Sequence, residues 1–494
     1  MRVLAFDIGS SSVKAAVLVD GVVKTGPVRH SYETVLAGVR VEIDPAAVWS
    51  AIVAATRELA PGGVDLIGLT ALGPAFIAMD KRGEPLTPLV THADRRSVEQ
   101  AGRIEQEVGK RRHLEITGNR PYPGGIASTT WRWYTEHEPD LLKRADLVGA
   151  LTTWLHRKMT GERVIDPSQA SFLGVYRTTT LDGWDPDLVA VANGTVNQLP
   201  EVHEANRVVG RLQKDAAREL GLPDGIPMQA GCLDGSAVML AAMAECGTAA
   251  GSAGGTAGGT AGGTASDNPG GSAGDTAGGA AAGTASGTAD GPASGSAEAG
   301  LLVNSVGSTD VLAMLIDEPR PMPRLLTRAL GVGRRWVAVA TLASAGTTFA
   351  WVQRTLFPDL QSADFHALIA QLGTEGDSHG VRFRPYLAGD RTTLNQPRGG
   401  FSGLTLATTR EHLLTAVVDG LAAASAARLP LLTAVRAPRP LVFVTGGAAT
   451  DVMYRDWPAP PDGRNWTRRP VPEATLAGAA VLAATQSARG APTL

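Results

Sequence analysis

Apolar and polar positions fall into blocks along this chain. The first block runs Val3-Leu4-Ala5-Phe6-Asp7-Ile8, then Gly9-Ser10-Ser11-Ser12, then Val13-Lys14-Ala15-Ala16-Val17-Leu18-Val19. Aliphatic and β-branched flanks around small turn residues predict two strands joined by a tight turn. Pro45 to Leu59 reads as a helix with Asp44 as its N-cap. Val64 to Thr70 reads as a buried strand, and Met228 to Ala230 as another, ending in Gly231 and leading to Asp234. A further strand is predicted from Leu301 to Val306, a helix around Glu411–Leu429, and a strand from Pro440 to Val444. Strands and helices alternate in both halves, which predicts an α/β protein of two lobes.

One stretch breaks this pattern. From Gly247 to Ala299 the chain is almost entirely Gly, Ala, Ser and Thr, with repeated Ala-Gly-Gly-Thr units and no Lys, Arg, aromatic or large aliphatic residue. Such a segment cannot bury enough apolar area to offset an ordering cost of about 1–2 kcal/mol per residue. The expectation is a disordered insertion at 247–299 separating an N-terminal lobe, 1–246, from a C-terminal lobe, 300–494. Its length costs little, because loop closure grows only logarithmically with chain length.

Composition narrows the function classes. The chain has 494 residues, is 44% hydrophobic and carries a formal net charge of −3, which suits two large domains and gives no electrostatic case for nucleic acid or an anionic membrane. Two cysteines, Cys232 and Cys246, exclude a disulfide framework, and no Cys/His spacing suits a metal. Arg2 is followed at once by a strand, leaving no room for a signal peptide, and charges such as Asp419 and Arg428 interrupt the long apolar stretches. A soluble cytoplasmic protein is the expectation, with a homodimer as the candidate assembly.

The first turn carries candidate chemistry. A backbone bare of bulky side chains at Gly9, Ser10, Ser11 and Ser12 lets N–H groups converge on an anion, with Lys14 as a further donor. Asp7 at the strand end is a candidate ligand for a hydrated divalent cation. The spacing is neither a P-loop nor a dinucleotide fingerprint, and an ordinary hairpin with a polar turn has the same composition. Asp234 sits where an apolar strand gives way to a small-residue helix start; there it is either a plain N-cap or a reactive carboxylate. Three more Gly-rich turns follow strands, at Gly307-Ser308-Thr309, Gly346 and Gly446-Gly447-Ala448, and each presents backbone N–H groups suited to a nucleotide.

These segments together carry a resemblance. The Asp7–Ser11 turn resembles the first phosphate motif of the actin-like ATPase superfamily. Gly399-Gly400-Phe401-Ser402-Gly403-Leu404, followed after seven residues by His412-Leu413 and then Ala416-Val417-Val418-Asp419, resembles the C-terminal signature of the FGGY carbohydrate kinases, most closely their xylulokinase-like branch. Pro385-Tyr386-Leu387-Ala388-Gly389-Asp390-Arg391-Thr392 is similar to that family's Pro-Tyr-Leu-x-Gly-Glu-Arg-Thr, with Asp390 in place of Glu. Glu473 and Gly478-Ala479-Ala480 are similar to its closing helix. The resemblance implies two actin-like ATPase (ribonuclease H-like) lobes around an interdomain cleft, and an ATP- and Mg²⁺-dependent kinase acting on a small sugar, a pentulose first. It implies Asp234 as general base and Asp7 as the residue organising metal and phosphates. It further implies Gly9–Ser12, Lys14, Gly307, Ser308, Thr309, Gly346, Gly446, Gly447 and Ala448 on the nucleotide.

The sugar side departs from that pattern. Where the xylulokinase-like branch has Gln-Met-His, this chain has Leu72-Gly73-Pro74, and the family's Trp-x-Asp-x-Arg stands as His92-Ala93-Asp94-Arg95-Arg96. Gly73, Pro74, Asp94 and Arg96, with Asp234, are the sugar-side candidates, and Asp390 and Arg391 are placed facing the cleft. A sugar is read by a few placed hydrogen bonds, so the altered residues predict a hydroxyl pattern other than that of xylulose. The alternative is a sugar-sensing regulatory protein that kept the fold and weakened catalysis.

Overall fold

The computed structural model describes residues 1–253, 298–447 and 451–487. Two sheets organise them. In the first, the strand Arg2–Ile8 pairs antiparallel with Ser12–Val19 and parallel with Leu66–Ala71; Val22–Ser31, Pro227–Gln229, Val208–Arg211 and Cys232–Leu233 complete it. In the second, Leu302–Val306 pairs antiparallel with Asp310–Ile316 and parallel with Leu441–Thr445, and Trp336–Leu342, Leu326–Ala329 and Thr467–Pro470 extend it. Both lobes therefore repeat one motif, a central hairpin whose first strand also has a parallel neighbour. The central strands are buried on both faces, as their near-continuous apolar runs require.

The Pro45–Leu59 helix forms as its sequence dictates. Asp44 accepts the Ala46 N–H at 2.9 Å, and Val48, Ile52, Ala55 and Leu59 share one buried stripe against the first sheet. A separate five-stranded sheet, Thr34–Ala37, Arg40–Ile43, Leu89–Thr91, Ala75–Met79 and Leu147–Gly149, was not foreseen from the pattern of the sequence. Its strand Leu89–Thr91 leads into His92 to Arg96, of which His92 lies near Arg391 and Arg95 donates to Ala388 O and Gln396 Oε1.

Two helices cross between the lobes. The helix Asp234–Ala253 follows the first sheet yet buries Ala237, Val238 and Ala241 among Leu301, Val303, Ala313 and Phe443 of the second. The helix Ala474–Ser487 follows the second sheet yet sets Leu476, Ala479, Ala480 and Ala483 on Val3, Ala5, Leu18 and Leu66 of the first. The helices meet at Gly478, where an added Cβ would overlap the Ala237 carbonyl.

Two expectations change. The apolar stretch predicted as one helix over Glu411–Leu429 ends at Ala426 and restarts as Leu429–Thr433, because Arg428 turns inward to a buried carboxylate and Pro430 opens the next turn. By length and composition Arg410–Thr433 is the one candidate membrane span among the described residues, but it is a packed element with Leu414, Val417, Val418 and Leu421 in the core. The low-complexity segment is also trimmed. Gly247 to Ala253 continue the Asp234 helix, and Glu298 is fixed by an ion pair with Arg335. Residues 254–297, on which the expectation of a disordered insertion rests, lie outside the described residues.

The helix crossing makes a direct prediction. Gly478→Ala places a methyl group where the Ala237 backbone already stands, so unfolding free energy falls by about 1–3 kcal/mol, read from urea midpoints.

Candidate functional site

Register places the two acidic candidates. Asp7 lies level with Lys14 on one side and Thr70 on the other, and Thr70 lies level with Cys232. Asp234 follows two residues later, so both carboxylates emerge at the carboxyl edge of the parallel strands. Asp234 opens its helix, and its Oδ1 accepts the N–H of Gly235 at 2.6 Å. Its carboxyl is pushed up to about 6, first by burial and then by the charge of Asp7, against the pull of the Gly235 N–H, Arg328 and Arg391. Burial also raises Asp7, opposed by hydrogen bonding and by Lys14. Asp7 accepts the hydroxyl of Thr475 at 2.7 Å and that of Thr70 at a long 3.5 Å. Lys14, expected as a free phosphate donor, is ion-paired with Glu473 at 2.8 Å.

The first turn is tied back by its carbonyls. Gly9 N–H donates to Ser12 O at 3.0 Å, Tyr32 OH donates to Gly9 O, Thr34 Oγ1 to Ser10 O at 2.5 Å, and Tyr32 N–H to Ser11 O at 3.0 Å. Arg29 reaches Ser12 Oγ at 3.3 Å. The Gly9 N–H is thus spent inside the turn, whereas those of Ser10 and Ser11 have no backbone partner among the described residues.

The second turn has the same construction. Gly307 N–H donates to Thr309 O at 2.9 Å, and Ser308 O accepts Ala345 N–H at 2.9 Å and Thr347 Oγ1 at 3.0 Å. Gly346 N–H donates to Gly307 O at 3.0 Å. This corrects the expectation for Gly346: its N–H braces the turn and is not offered to a ligand. Gly446 has φ +98°, and a Cβ there would overlap Val306 O. Only glycine permits that approach, so the turns at 307, 346 and 446 converge at the carboxyl end of the second sheet. Gly447 continues this turn; Ala448 lies outside the described residues. Asp310 closes the second turn from below, fully buried, with Asn304 Nδ2 at 2.6 Å and Arg428 donating to both its carboxylate and its carbonyl.

The acceptor side is less open than its residue types suggested. A Cβ on Gly73 would lie 2.8 Å from Gln169 Oε1 and overlap Leu233 Cδ1. Pro74 and Leu72 are buried, so residues 72–74 form an apolar wall. Asp94 and Arg96 come together, but with each other: Arg96 Nε lies 3.0 Å from Asp94 Oδ1 and Nη2 2.7 Å from Oδ2. Arg96 also donates to Glu42 and lies over the Trp133 and Tyr134 rings at 5.1 and 5.6 Å, while Asp94 accepts Val41 N–H at 2.8 Å. With Asp94 1% exposed, the expected sugar-contacting pair is an internal clamp that stiffens the wall. Arg391 is buried as well and lies within electrostatic reach of Asp234.

Several neighbours of the site escaped the sequence reading. Arg328, fully buried, donates to Ser236 Oγ and to Ala329 O at 3.4 Å and stands over Gly235. Burial pulls its guanidinium down to about 10, against the charges of Asp234, Cys232 and Asp166. Asp166, pushed up to about 7 by burial, caps a short turn through the Ser168 and Gln169 N–H groups. The one available signal was an arginine inside the apolar run Leu325-Leu326-Thr327-Arg328-Ala329-Leu330. Thr475 gave none.

The donor set at the bottom of the cleft suits Mg²⁺. Asp7, buried and raising the proton affinity of Asp234 by its charge, gains from a cation beside it, and no cluster of three or more His, Cys, Asp or Glu exists among the described residues. A carboxylate with water and phosphate for the remaining positions matches the habit of this ion.

Two lobes repeating a hairpin-plus-parallel-strand core, locked by crossed helices, define the actin-like ATPase fold. The chain belongs to the FGGY family of carbohydrate kinases: residues 2–241 match the family's N-terminal domain and residues 302–487 its C-terminal domain. It is similar to gluconokinase of Bacillus subtilis, 23% identical over 92% of this chain and 81% of that one. It is likewise similar to xylulose kinase of Klebsiella pneumoniae, 25% identical over 90% and 82% of the two chains. The ligand-bound xylulose kinase of Lactobacillus acidophilus superposes with a TM-score of 0.76 at 17% identity, covering 99% of this chain and 90% of that one. The protein is therefore a sugar kinase, a phosphotransferase with an alcohol group as acceptor.

The second turn depends on the buried Asp310–Arg428 pair. Arg428→Leu leaves Asp310 charged and unpaired in the core, and global stability drops by about 3–5 kcal/mol in thermal or urea unfolding.

Proposed function

We propose that the protein transfers the γ-phosphoryl group of ATP to a hydroxyl of a small sugar, a pentulose first, with Asp234 as general base. The observation that carries this reading is the placement of Asp234: a carboxyl pushed up to about 6, at the N-terminus of the helix that crosses between the lobes, beside Asp7 and the first turn. A base poised just below neutral pH is ionised when it must accept a proton and is basic enough to take it. In the proposed assignment residues 1–246 hold the acceptor and the first phosphate turn, and residues 300–494 hold the nucleotide on the turns at Gly307, Ser308, Thr309, Gly446 and Gly447.

The chain's own groups account for the steps. Asp234 draws the proton from the attacking hydroxyl. The N–H groups of Ser10 and Ser11, which have no backbone partner among the described residues, and the Ser308–Thr309 turn offer donors to phosphoryl oxygens whose charge rises during transfer. Glu473 holds Lys14, and Thr475 holds Asp7, so the cation-binding carboxylate is aimed from the opposite lobe. Asp7 would hold Mg²⁺, which would supply charge neutralisation to the phosphates. The apolar wall at Leu72–Pro74 shields the reacting hydroxyl from water, which limits wasteful hydrolysis of ATP.

The reading is tested by Asp234→Asn. Acceptor-dependent ADP release falls by at least about 10²–10⁴-fold while nucleotide binding by calorimetry persists; turnover close to wild type sinks the assignment. A wild-type protein that binds sugar but releases no ADP with any ketose, polyol or aldonate points instead to the sensing role.

The pH dependence has a defined sign. The folded Asp234 carboxyl lies at about 6, above its ordinary value of 3.8, so the rate falls on the acid side as pH drops through about 6. For stability, the protonated form is the favoured one in the fold, and its contribution is complete below pH 3.8 and lost as pH rises through about 6. Asp234→Asn therefore melts at or above the wild-type temperature at pH 8, and that advantage disappears near pH 4.

A further inference from the structure

Arg328 and Arg391 lie within electrostatic reach of Asp234 and Arg95 within reach of Arg391; with Arg96 on the same segment as Arg95 these make four arginines, of which three are already engaged. Arg96 is clamped by Asp94 and Glu42. Arg328 is held by Ser236 and the Ala329 carbonyl. Arg95 donates to the carbonyls of His92, Asp94, Pro123 and Ala388 and to Gln396 Oε1. Arg391 differs. It is 4% exposed, and among the described residues its guanidinium has no hydrogen-bond partner, with Nε closed off from solvent and unsatisfied. The carboxylate next to it in sequence, Asp390, already accepts the N–H and hydroxyl of Thr392, both at 2.8 Å.

The groups facing Arg391 are of both signs, and none of them is hydrogen-bonded to its guanidinium among the described residues. Asp234 and Asp390 attract it and Arg95 repels it, while burial pulls its guanidinium down to about 9. His92, beside it, is kept neutral by burial and by the same two arginines, and its Nδ1 also lacks a partner. The backbone that carries Arg391 is held on both sides. Gln396 Nε2 donates to Asp390 O at 3.1 Å and Thr393 O at 2.7 Å, and Arg95 binds both Gln396 and Ala388. A buried guanidinium on a braced loop is a fixed fork of donors, the geometry that matches the paired oxygens of a carboxylate or a phosphoryl group. Leaving such a group unpaired is costly, and a ligand oxyanion removes the cost.

We propose that Arg391 is the oxyanion-binding side chain of the cleft, its guanidinium taking two oxygens of a ligand carboxylate or phosphoryl group beside Asp234. The placement next to Asp234 rests on that residue marking the transfer site. Two sources supply the oxyanion: the acceptor itself, when it is a sugar acid, or the phosphoryl group in transit. No residue of the two phosphate turns is needed for the contact, and the loop that carries Arg391 is bound to the His92–Arg95 segment on the acceptor side.

The test uses the full chain with Arg391→Gln and Arg391→Lys. Calorimetry with inorganic phosphate and with sodium gluconate, in the absence of ATP, reads oxyanion binding without any turnover. The wild type binds at least one of these anions, Arg391→Gln weakens that binding by about tenfold or more, and Arg391→Lys recovers part of it. ADP-release kinetics then separate the sources. If the acceptor supplies the oxyanion, KM for aldonates rises about tenfold in Arg391→Gln while neutral ketoses and ATP keep their KM. If the phosphoryl group supplies it, kcat falls about tenfold for every acceptor at constant KM. Wild-type protein that takes up neither anion overturns the proposal, as does Arg391→Gln or Arg391→Lys that binds both as the wild type does with kcat and KM unchanged. Absence of all turnover with Arg391-dependent anion binding intact would instead count against the kinase reading alone. Should Arg391→Gln fail to fold, anion binding and kinetics of the wild type and of Arg391→Lys support or overturn the proposal in the same way.

Discussion

The close approach of two small-residue helices governs this molecule. Gly478 rests against the backbone of Ala237, and that contact sets how far each helix advances toward the cleft. Three residues before Ala237 stands Asp234, the first residue of one helix; a few residues before Gly478 stand Glu473 and Thr475, at the start of the other. Both helix N-termini therefore point at the same place. From one comes a carboxylate, and from the other come the groups that hold Asp7 and Lys14. The partial positive charge at two helix starts helps to sustain two neighbouring carboxylates in a buried setting. A larger residue at either contact point would move both sets of groups at once.

Burial at the site acts through imbalance. The charge of Asp7 raises the proton affinity of Asp234, the guanidinium of Arg391 has no hydrogen-bond partner among the described residues, and other charged groups are closed into pairs such as Asp94–Arg96 and Asp310–Arg428. The paired groups stiffen walls and turns. The unpaired ones are where a ligand gains most, because they are desolvated and already fixed in position. Cation and anion sites at one cleft, each short of its counter-charge, suit a reaction that brings both a metal–nucleotide and an acceptor.

Much of the fold was legible because its signals are local. Hairpin strands, the Asp44 cap and the small residues before Asp234 depend only on near neighbours, and each stands where the pattern placed it. What depends on remote partners was not legible. Lys14 and Glu473 are 459 positions apart, Asp7 and Thr475 are 468 apart, and Arg328 and Ser236 are 92 apart. The family resemblance marked Asp94 and Arg96 as ligand-facing, and only packing reveals that they satisfy each other. Gly346 shows the same limit in the backbone: a glycine-rich turn has N–H groups, but their direction is set by the carbonyl beside them, here that of Gly307.

The exchange of helices between lobes also orders the events of synthesis. Every strand of the first sheet has been synthesised once residue 233 is made, yet Val3, Ala5, Leu18 and Leu66 on one of its faces wait for Leu476, Ala479, Ala480 and Ala483. At ~5–20 residues per second that face stays uncovered for roughly 12–50 seconds. The nascent N-terminal lobe is thus an incomplete body with a sticky side, and the final helix is the latch that finishes both lobes together. A truncation that removes only this last element would strip the cover from a sheet built by the very first residues of the chain.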